Sequence, residues 1–324
     1  MSETEDAATT VARLLKTKMR VVKDDGGLAS ISITSEWQNT EAFKGFDGQV
    51  TVGLAESTDQ KIELSGKTRR RLSLLRVNAW TTETPSANEA GRVIRNKIVE
   101  EVNRVVRQNR SKPNETLYDF FNTGPAAQAH RAYRGSSEVS PYASGWTELS
   151  SEQYEKLWYS DNDRCEVSYG GNGEYTVMLF RFRAESREKT VKKMVLAFEG
   201  YGTAPSGDGV AVKVWNHVVG AWQNAQTGGA GGTDETITIT LVSDLADYID
   251  GDGCVWFLAR TLNASDGATP ATLYCDYVSC TVTVNGVTYC DIVGFRDLDR
   301  VDVKPFIFRT EITVKSWFFE NIGV

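Results

Sequence analysis

The sequence predicts an α+β fold: a small mixed or antiparallel sheet with two helices, split by an inserted all-β jelly-roll sandwich. Three observations predict it. The last element, Phe306 to Phe318, alternates like a strand, with Thr310, Ile312, Val314 and Ser316 on one face and Arg309, Glu311, Thr313 and Lys315 on the other. The N-terminal third reads as helix, three strands and helix, and such a sheet wants a closing strand. Residues 146–289 read as strand after strand, enough for a sandwich of their own. The final strand therefore closes the N-terminal sheet. That gives residues 1–115 and 290–324 to one discontinuous domain, 116–145 to a linker or arm, and 146–289 to the jelly roll.

The elements follow in order. Val11, Leu14, Leu15, Met19 and Val22 recur at helical spacing, so residues 5–23 form a helix, with Ser2 and Glu5 as a capping box. Asp24-Asp-Gly-Gly27 stops it. Ile31 and Ile33 begin a short strand, and Val50, Val52 and Leu54 mark the next. Residues 61–64 extend a hairpin, and Lys67 to Thr82 is the long strand. Ser86 as N-cap with Glu89 three residues on starts a second helix, which runs to about Asn109 and is ended by Pro113. From Asn114 to Gly145 periodicity is lost, and His130 within it is expected to be exposed and inert. Strands are then expected at 175–183, 191–199, 210–215, 236–242, 254–261 and 272–284. Glycine-rich turns separate them, and one helical turn lies near Asp244 to Tyr248.

At 324 residues the chain can bury two cores, and 40% hydrophobic with 24% charged residues is globular composition. A net charge of −7 argues against a broad nucleic-acid grip. No apolar run is long enough to span a membrane, and the acidic N-terminus carries no apolar core of a signal peptide. The five cysteines, Cys165, Cys254, Cys275, Cys280 and Cys290, lack metal-ligand spacing and read as buried small hydrophobes. Cys275 and Cys280, five apart on one strand, are expected on opposite faces.

No cofactor is called for. Asp161, Asp163, Asp247, Asp250 and Asp252 are carboxylates that calcium could use, against the plainer reading of turn residues. Trp215 and Trp222 flank a hairpin-like turn and are candidates to stack on sugar rings, whereas Trp256 reads as core. The only histidines, His130 and His217, stand in no motif, and neither a nucleophile elbow nor a zinc or dinucleotide signature occurs, so no enzyme is expected. The tract Lys67-Thr-Arg-Arg-Arg71 is a solvated strand end or a contact with a neighbouring subunit's acids. No aromatic interleaving supports nucleic acid there.

Two resemblances accompany these residues. The order of N-terminal helix, Ile31-Ser-Ile33 strand, hairpin, Arg69-to-Trp80 strand and Ser86-capped helix, finished by Phe306 to Trp317, resembles the tail-terminator and head–tail joining proteins of tailed viruses, archaeal ones in particular. The resemblance implies a structural virion protein, made in the host cytoplasm. Its homo-oligomeric ring, commonly a hexamer, would terminate the tail tube and join the head connector, with DNA passing the channel without sequence-specific binding. Lys67, Arg69, Arg71, Arg95 and Glu101 would then lie at subunit interfaces. The runs Trp146-Thr-Glu-Leu-Ser150, Leu157-Trp-Tyr-Ser-Asp-Asn162 and Leu273-Tyr-Cys-Asp-Tyr-Val278 are similar to carbohydrate-binding-like jelly rolls. They imply a domain that decorates the ring or, alternatively, a glycan-binding accessory protein.

Overall fold

The computed structural model describes residues 3–35, 45–62, 68–83 and 90–321. In chain order the elements are α1 (Ala7–Lys18), β1 (Ile31–Thr34), β2 (Gly48–Lys61), β3 (Thr68–Thr82), α2 (Gly91–Gln108), β4 (Glu115–Tyr118), β5 (His130–Gly135), β6 (Thr147–Glu148), α3 (Ser151–Glu155), β7 (Cys165–Tyr169), β8 (Val177–Arg183), β9 (Val191–Thr203), β10 (Val210–Asn216), β11 (Ala221–Gly228), β12 (Glu235–Leu241), β13 (Cys254–Thr261), β14 (Ala271–Val284), β15 (Tyr289–Asp297) and β16 (Ile307–Asn321). They fall into two compact units, one of Glu3–Thr116 with Asn285–Val324, the other of Leu117–Val284.

The α+β class is overturned. Among the described residues strands make up 47% and helices 14%, with three α-helices and several sheets, so the protein is mostly β. The sheet that carries the two long helices is not small either. β2, β3 and β16 are 14, 15 and 15 residues long, roughly 50 Å of extended chain.

In the discontinuous unit the sheet order is β1-β2-β3-β16-β15, with β1 parallel to β2 and the other pairs antiparallel. β16 lies centrally, pairing with β3 from Ile307↔Thr82 to Asn321↔Thr68 and with β15 on its other side. Its Thr310, Ile312, Val314 and Ser316 are the buried face. They meet the apolar stripes of α1 (Val11, Leu14, Leu15) and α2 (Ile94, Ile98, Val102, Val105, Val106) in one core. The cap of α1 is Asp6, whose carboxylate accepts the Thr9 N–H at 2.9 Å, one turn later than the Ser2 box placed it. The Ser86 cap lies outside the described residues.

The Leu117–Val284 unit is a sandwich of two sheets, ordered β11-β10-β13-β8-β5-β6 and β12-β9-β14-β4, with β7 also paired to β14. Inward side chains such as Phe180, Phe182, Phe198, Phe257 and Phe120 fill its core. The expected linker at 116–145 is corrected here. β5 pairs with β8 from His130↔Phe182 to Gly135↔Val177, so much of this segment is strand and loop of the sandwich. His130 is correspondingly not exposed. Its ring packs against Tyr118 and Phe182 at 5.8 Å and Phe120 at 6.2 Å, and burial pushes its pKa down to about 4. Cys275 and Cys280 both face the core, against the parity argument, because a bulge between Cys275 and Tyr277 absorbs one residue.

Candidate carbohydrate-binding faces of the sandwich

The bulge that turns Cys280 inward also shapes the outer face of the β12-β9-β14 sheet. At Gly200, opposite Cys275, φ is +154°, and an added Cβ would stand 2.0 Å from the Tyr274 carbonyl oxygen. Only glycine admits this approach of the two strands. Directly beside it, Tyr201 and Tyr274 are cross-strand partners with rings stacked at 4.5 Å and 20°. Strand parity then aligns Thr236, Glu199 and Tyr277 in one row, and Thr238, Ala197 and Ser279 in the next. The second row is small side chains, so it forms a shallow trough beside the tyrosines.

Charge is concentrated at the tyrosine end. Arg164 donates Nε to Asp234 Oδ1 at 2.8 Å and Nη2 to Oδ2 at 2.7 Å, and its guanidinium lies 5.5 Å from the centre of the Tyr201 ring. The hydrogen bonds to Asp234 hold the Arg164 pKa above its ordinary value. Tyr277 donates its hydroxyl to Asp119 at 2.8 Å, and burial raises its pKa. Asp276, the bulge residue, accepts the Asn162 N–H at 2.8 Å, and burial pushes its carboxyl upward. The patch thus offers aromatic edges, hydroxyls and a carboxylate acceptor, a set suited to a polyhydroxylated ligand.

The opposite sheet holds the tryptophans singled out from the sequence. Trp215 and Trp222 are cross-strand partners on β10 and β11, set edge to face at 5.1 Å. Burial takes Trp215 out of reach of a sugar ring, while Trp222 stays partly exposed. Trp215 is only 7% exposed, in a cluster with Leu179 and Trp256 on the sheet's outer side. The chain's own segment 136–146 crosses this face. Val139 accepts the Trp222 Nε1–H at 2.9 Å, and Glu138 takes Lys213 at 2.6 Å and Arg260 at 2.8 Å. Tyr142 sits edge-on to Trp256 at 5.8 Å. Nothing in a local window signals such a cover, since Glu138 and Arg260 are 122 residues apart.

The other candidates are placed as follows. Lys67 lies outside the described residues. Arg69 and Arg71 are on β3, where Arg71 pairs with Asp59 at 2.8 Å. Arg95 is buried in its own unit, holding Asp297 at 3.0 Å, Asp299 at 3.2 Å and Thr310 at 2.8 Å, so it is no surface contact. Glu101 binds Arg104 at 2.6 Å and the Arg20 N–H at 2.8 Å, and these partners hold its pKa low against the opposing effect of burial. Of the calcium candidates, Asp250 accepts the N–H groups of Asp252 and Cys254, Asp161 accepts that of Asp163, and Asp163 binds Lys156. Among the described residues no group of three or more His, Cys, Asp or Glu is placed to hold a metal. The Tyr201–Tyr274 pair was missed from sequence. Its signal is the Gly200-Tyr201-Gly202 run, readable only once the bulge sets the register.

Residues 127–284 match a family model described as "AF_1625_C: Uncharacterized protein, C-terminal domain". No curated protein matches the chain. Solved structures that match include the xylan-binding module CBM15, at 13% identity over 53% of this chain and 98% of that one, with a TM-score of 0.28. A family 11 carbohydrate-binding module from Clostridium thermocellum, in complex with a β-1,3-1,4-mixed-linked tetrasaccharide, matches at 12% identity over 52% and 95%, with a TM-score of 0.26. The enzymatically active domain of bacteriophage CBA120 tailspike protein 4 matches at 10% identity and a TM-score of 0.24, over 52% of this chain but 19% of its own. Likeness this distant carries no functional argument.

Proposed function

We propose that the Leu117–Val284 sandwich is a carbohydrate-binding module that acts without turnover, holding neutral glycan on the outer face of the β12-β9-β14 sheet. The observation that carries this reading is the Tyr201–Tyr274 stack beside the trough of Thr238, Ala197 and Ser279. Sugar C–H faces lie against the tyrosines, while Glu199, Thr236 and Thr238 meet the hydroxyls. Titration calorimetry with a panel of neutral soluble polysaccharides tests it. Tyr201→Ala and Tyr274→Ala are each expected to weaken binding about 10-fold, matching roughly 1.4 kcal/mol for a lost aromatic contact, while Trp222→Phe leaves it unchanged. Binding that ignores both tyrosines, or no binding at all, sinks the reading.

The ring-forming role in a virion tail rests on a different observation, in the other unit. β1 pairs with β2 only up to Thr51, and β2 is exposed from Leu54 to Lys61, so among the described residues no strand pairs the outer edge of that stretch of the β2–β3 ribbon. Leu54 and Phe319, 58% and 55% exposed, flank that arm. Such an edge accepts a strand from another copy, and repetition of the contact closes a ring. Light scattering of the full chain checks this. A closed ring of about six copies supports a tail-terminator or head–tail joining role, and a monomer at high concentration removes it.

A further inference from the structure

The outer face of the six-stranded sheet carries three arginines, two of them where cross-strand logic disfavours them. Arg131 on β5 is the direct partner of Arg181 on β8, both pointing outward, and Arg183 is two residues further along the same face. Like charges placed directly opposite repel. Arg131 has Glu148 at 3.7 Å, but that carboxylate also accepts the Ala126 N–H at 2.9 Å and the Tyr154 hydroxyl at 3.2 Å. Among the described residues no ion pair joins Arg181 or Arg183 to an acid. Arg181 donates Nη2 to the Gln128 carbonyl at 2.9 Å, and its Nε is buried with no partner at all. A buried guanidinium N–H without an acceptor is costly and rare.

The same row of the sheet continues into an aromatic surface. Trp256 is the cross-strand partner of Arg181 on the other side, and Tyr142, 60% exposed, stands edge-on to it at 5.8 Å. Segment 136–146 covers the Trp222 side of this face: Glu138 takes Lys213 on β10 and Arg260 on β13, Val139 accepts the Trp222 N–H on β11, and Tyr142 bonds His217 and Asp250, none of them the three arginines. Acids bound the patch, with Glu148 at the β5 edge and Asp250 beside Tyr142, where Asp250 Oδ2 lies 3.4 Å from the tyrosine hydroxyl. A long polyanion would meet those carboxylates. A single compact anionic group would meet only the guanidinium groups.

We infer that Arg131, Arg181 and Arg183, beside Tyr142, form a subsite for the carboxylate or sulfate of an acidic sugar. Planar guanidinium groups bind such anions through paired N–H donors, and the adjacent tyrosine ring receives the sugar body. An anion here offsets the Arg131–Arg181 repulsion through the outward guanidinium N–H groups.

The test uses the full chain with four probes: inorganic sulfate, a uronate oligosaccharide, a sulfated oligosaccharide and a neutral oligosaccharide of equal length. Sulfate alone should raise the melting temperature of the wild-type sandwich and not that of Arg181→Gln/Arg183→Gln. At least one acidic oligosaccharide should bind the wild type, compete with sulfate, and lose about 10-fold or more in affinity in the double variant. Which of the two binds identifies carboxylate or sulfate as the group held. Tyr142→Ala should weaken the oligosaccharide and leave sulfate unaffected, and Tyr201→Ala should leave both unaffected, which separates this subsite from the neutral-glycan face. Folding of the double variant is checked by its melting transition without anion, which relief of repulsion should leave at or above the wild-type value. The inference is overturned if the neutral oligosaccharide binds this face as well as the acidic ones, if acidic binding survives the double variant, or if single-stranded DNA competes equally, which would make the attraction a general one for polyanions.

Discussion

Truncating the chain after Leu298 is expected to abolish the folding transition of the discontinuous unit while the sandwich keeps its own. The cut removes β16, the strand that separates β3 from β15. β3 loses a partner along fifteen paired positions, and β15 loses its pairing strand. The core loses Ile312 and Val314, both 0% exposed, and Phe318 at 5%. At about 1.5–3 kcal/mol for each fully buried apolar side chain, these three alone approach the roughly 5–15 kcal/mol by which a domain is stable. Asp299 goes as well, leaving the buried Arg95 with Asp297 as its remaining acid. The complementary deletion should be harmless. Thr116 accepts a hydrogen bond from Arg13, and the Glu5 N–H donates to the Asn285 carbonyl at 2.8 Å, while Arg13 and Glu5 are themselves paired. The two points where the chain leaves and re-enters this unit are thus tied to one ion pair. Replacing residues 117–284 by a Gly/Ser linker of about four residues, with a reach of roughly 14 Å, should leave one cooperative transition. Two transitions by calorimetry in the wild type and one in each deletion is the expected pattern. Retention of the discontinuous unit's transition without β16 would falsify the split-sheet account.

That β16 belongs to the N-terminal sheet was legible because its alternation is clean. A face of Thr310, Ile312, Val314 and Ser316 needs a hydrophobic layer, and α1 and α2 advertise theirs at helical spacing. Other parts lacked such a signal. β5 reads His-Arg-Ala-Tyr-Arg-Gly, and its outward positions carry Arg131 and Tyr133, so no apolar alternation appears. β11 is an edge strand with largely exposed side chains. The overall class was misjudged for a related reason. The two long helices announce themselves, whereas polar stretches such as Glu56 to Lys61 are strand by virtue of their pairing with β3. At the candidate sites the failure was one of register and cover. Trp215 and Trp222 were found as a pair, but the segment that crosses their face, and accepts the Trp222 N–H, is remote in sequence. Tyr201 and Tyr274 meet only because a bulge at Asp276 shifts one strand by a residue, and residue types alone do not locate a bulge.

Arg13→Met is expected to destabilise the discontinuous unit by about 3–5 kcal/mol. Arg13 and Glu5 are 2% and 5% exposed, with Arg13 Nη2 2.8 Å from Glu5 Oε2. The Thr10 hydroxyl donates to the same oxygen at 2.8 Å, and both Thr10 and Thr116 are fully buried. Removing the guanidinium leaves the carboxylate in a low-dielectric site with one hydroxyl donor, and an uncompensated buried charge is what makes such single substitutions severe. The pair itself is a different quantity. Desolvation of both ions offsets much of their attraction, so Arg13→Met combined with Glu5→Leu, which removes both charges and restores apolar volume, should recover most of the loss. Urea unfolding followed separately for each unit distinguishes the two. The single variant should shift only the discontinuous unit's midpoint, and the double variant should return it towards wild type. If the double variant is as unstable as the single one, the network acts through the Arg13–Thr116 contact and the Glu5 N–H tie to Asn285, and the cost lies in the geometry of the two chain crossings rather than in the orphaned charge.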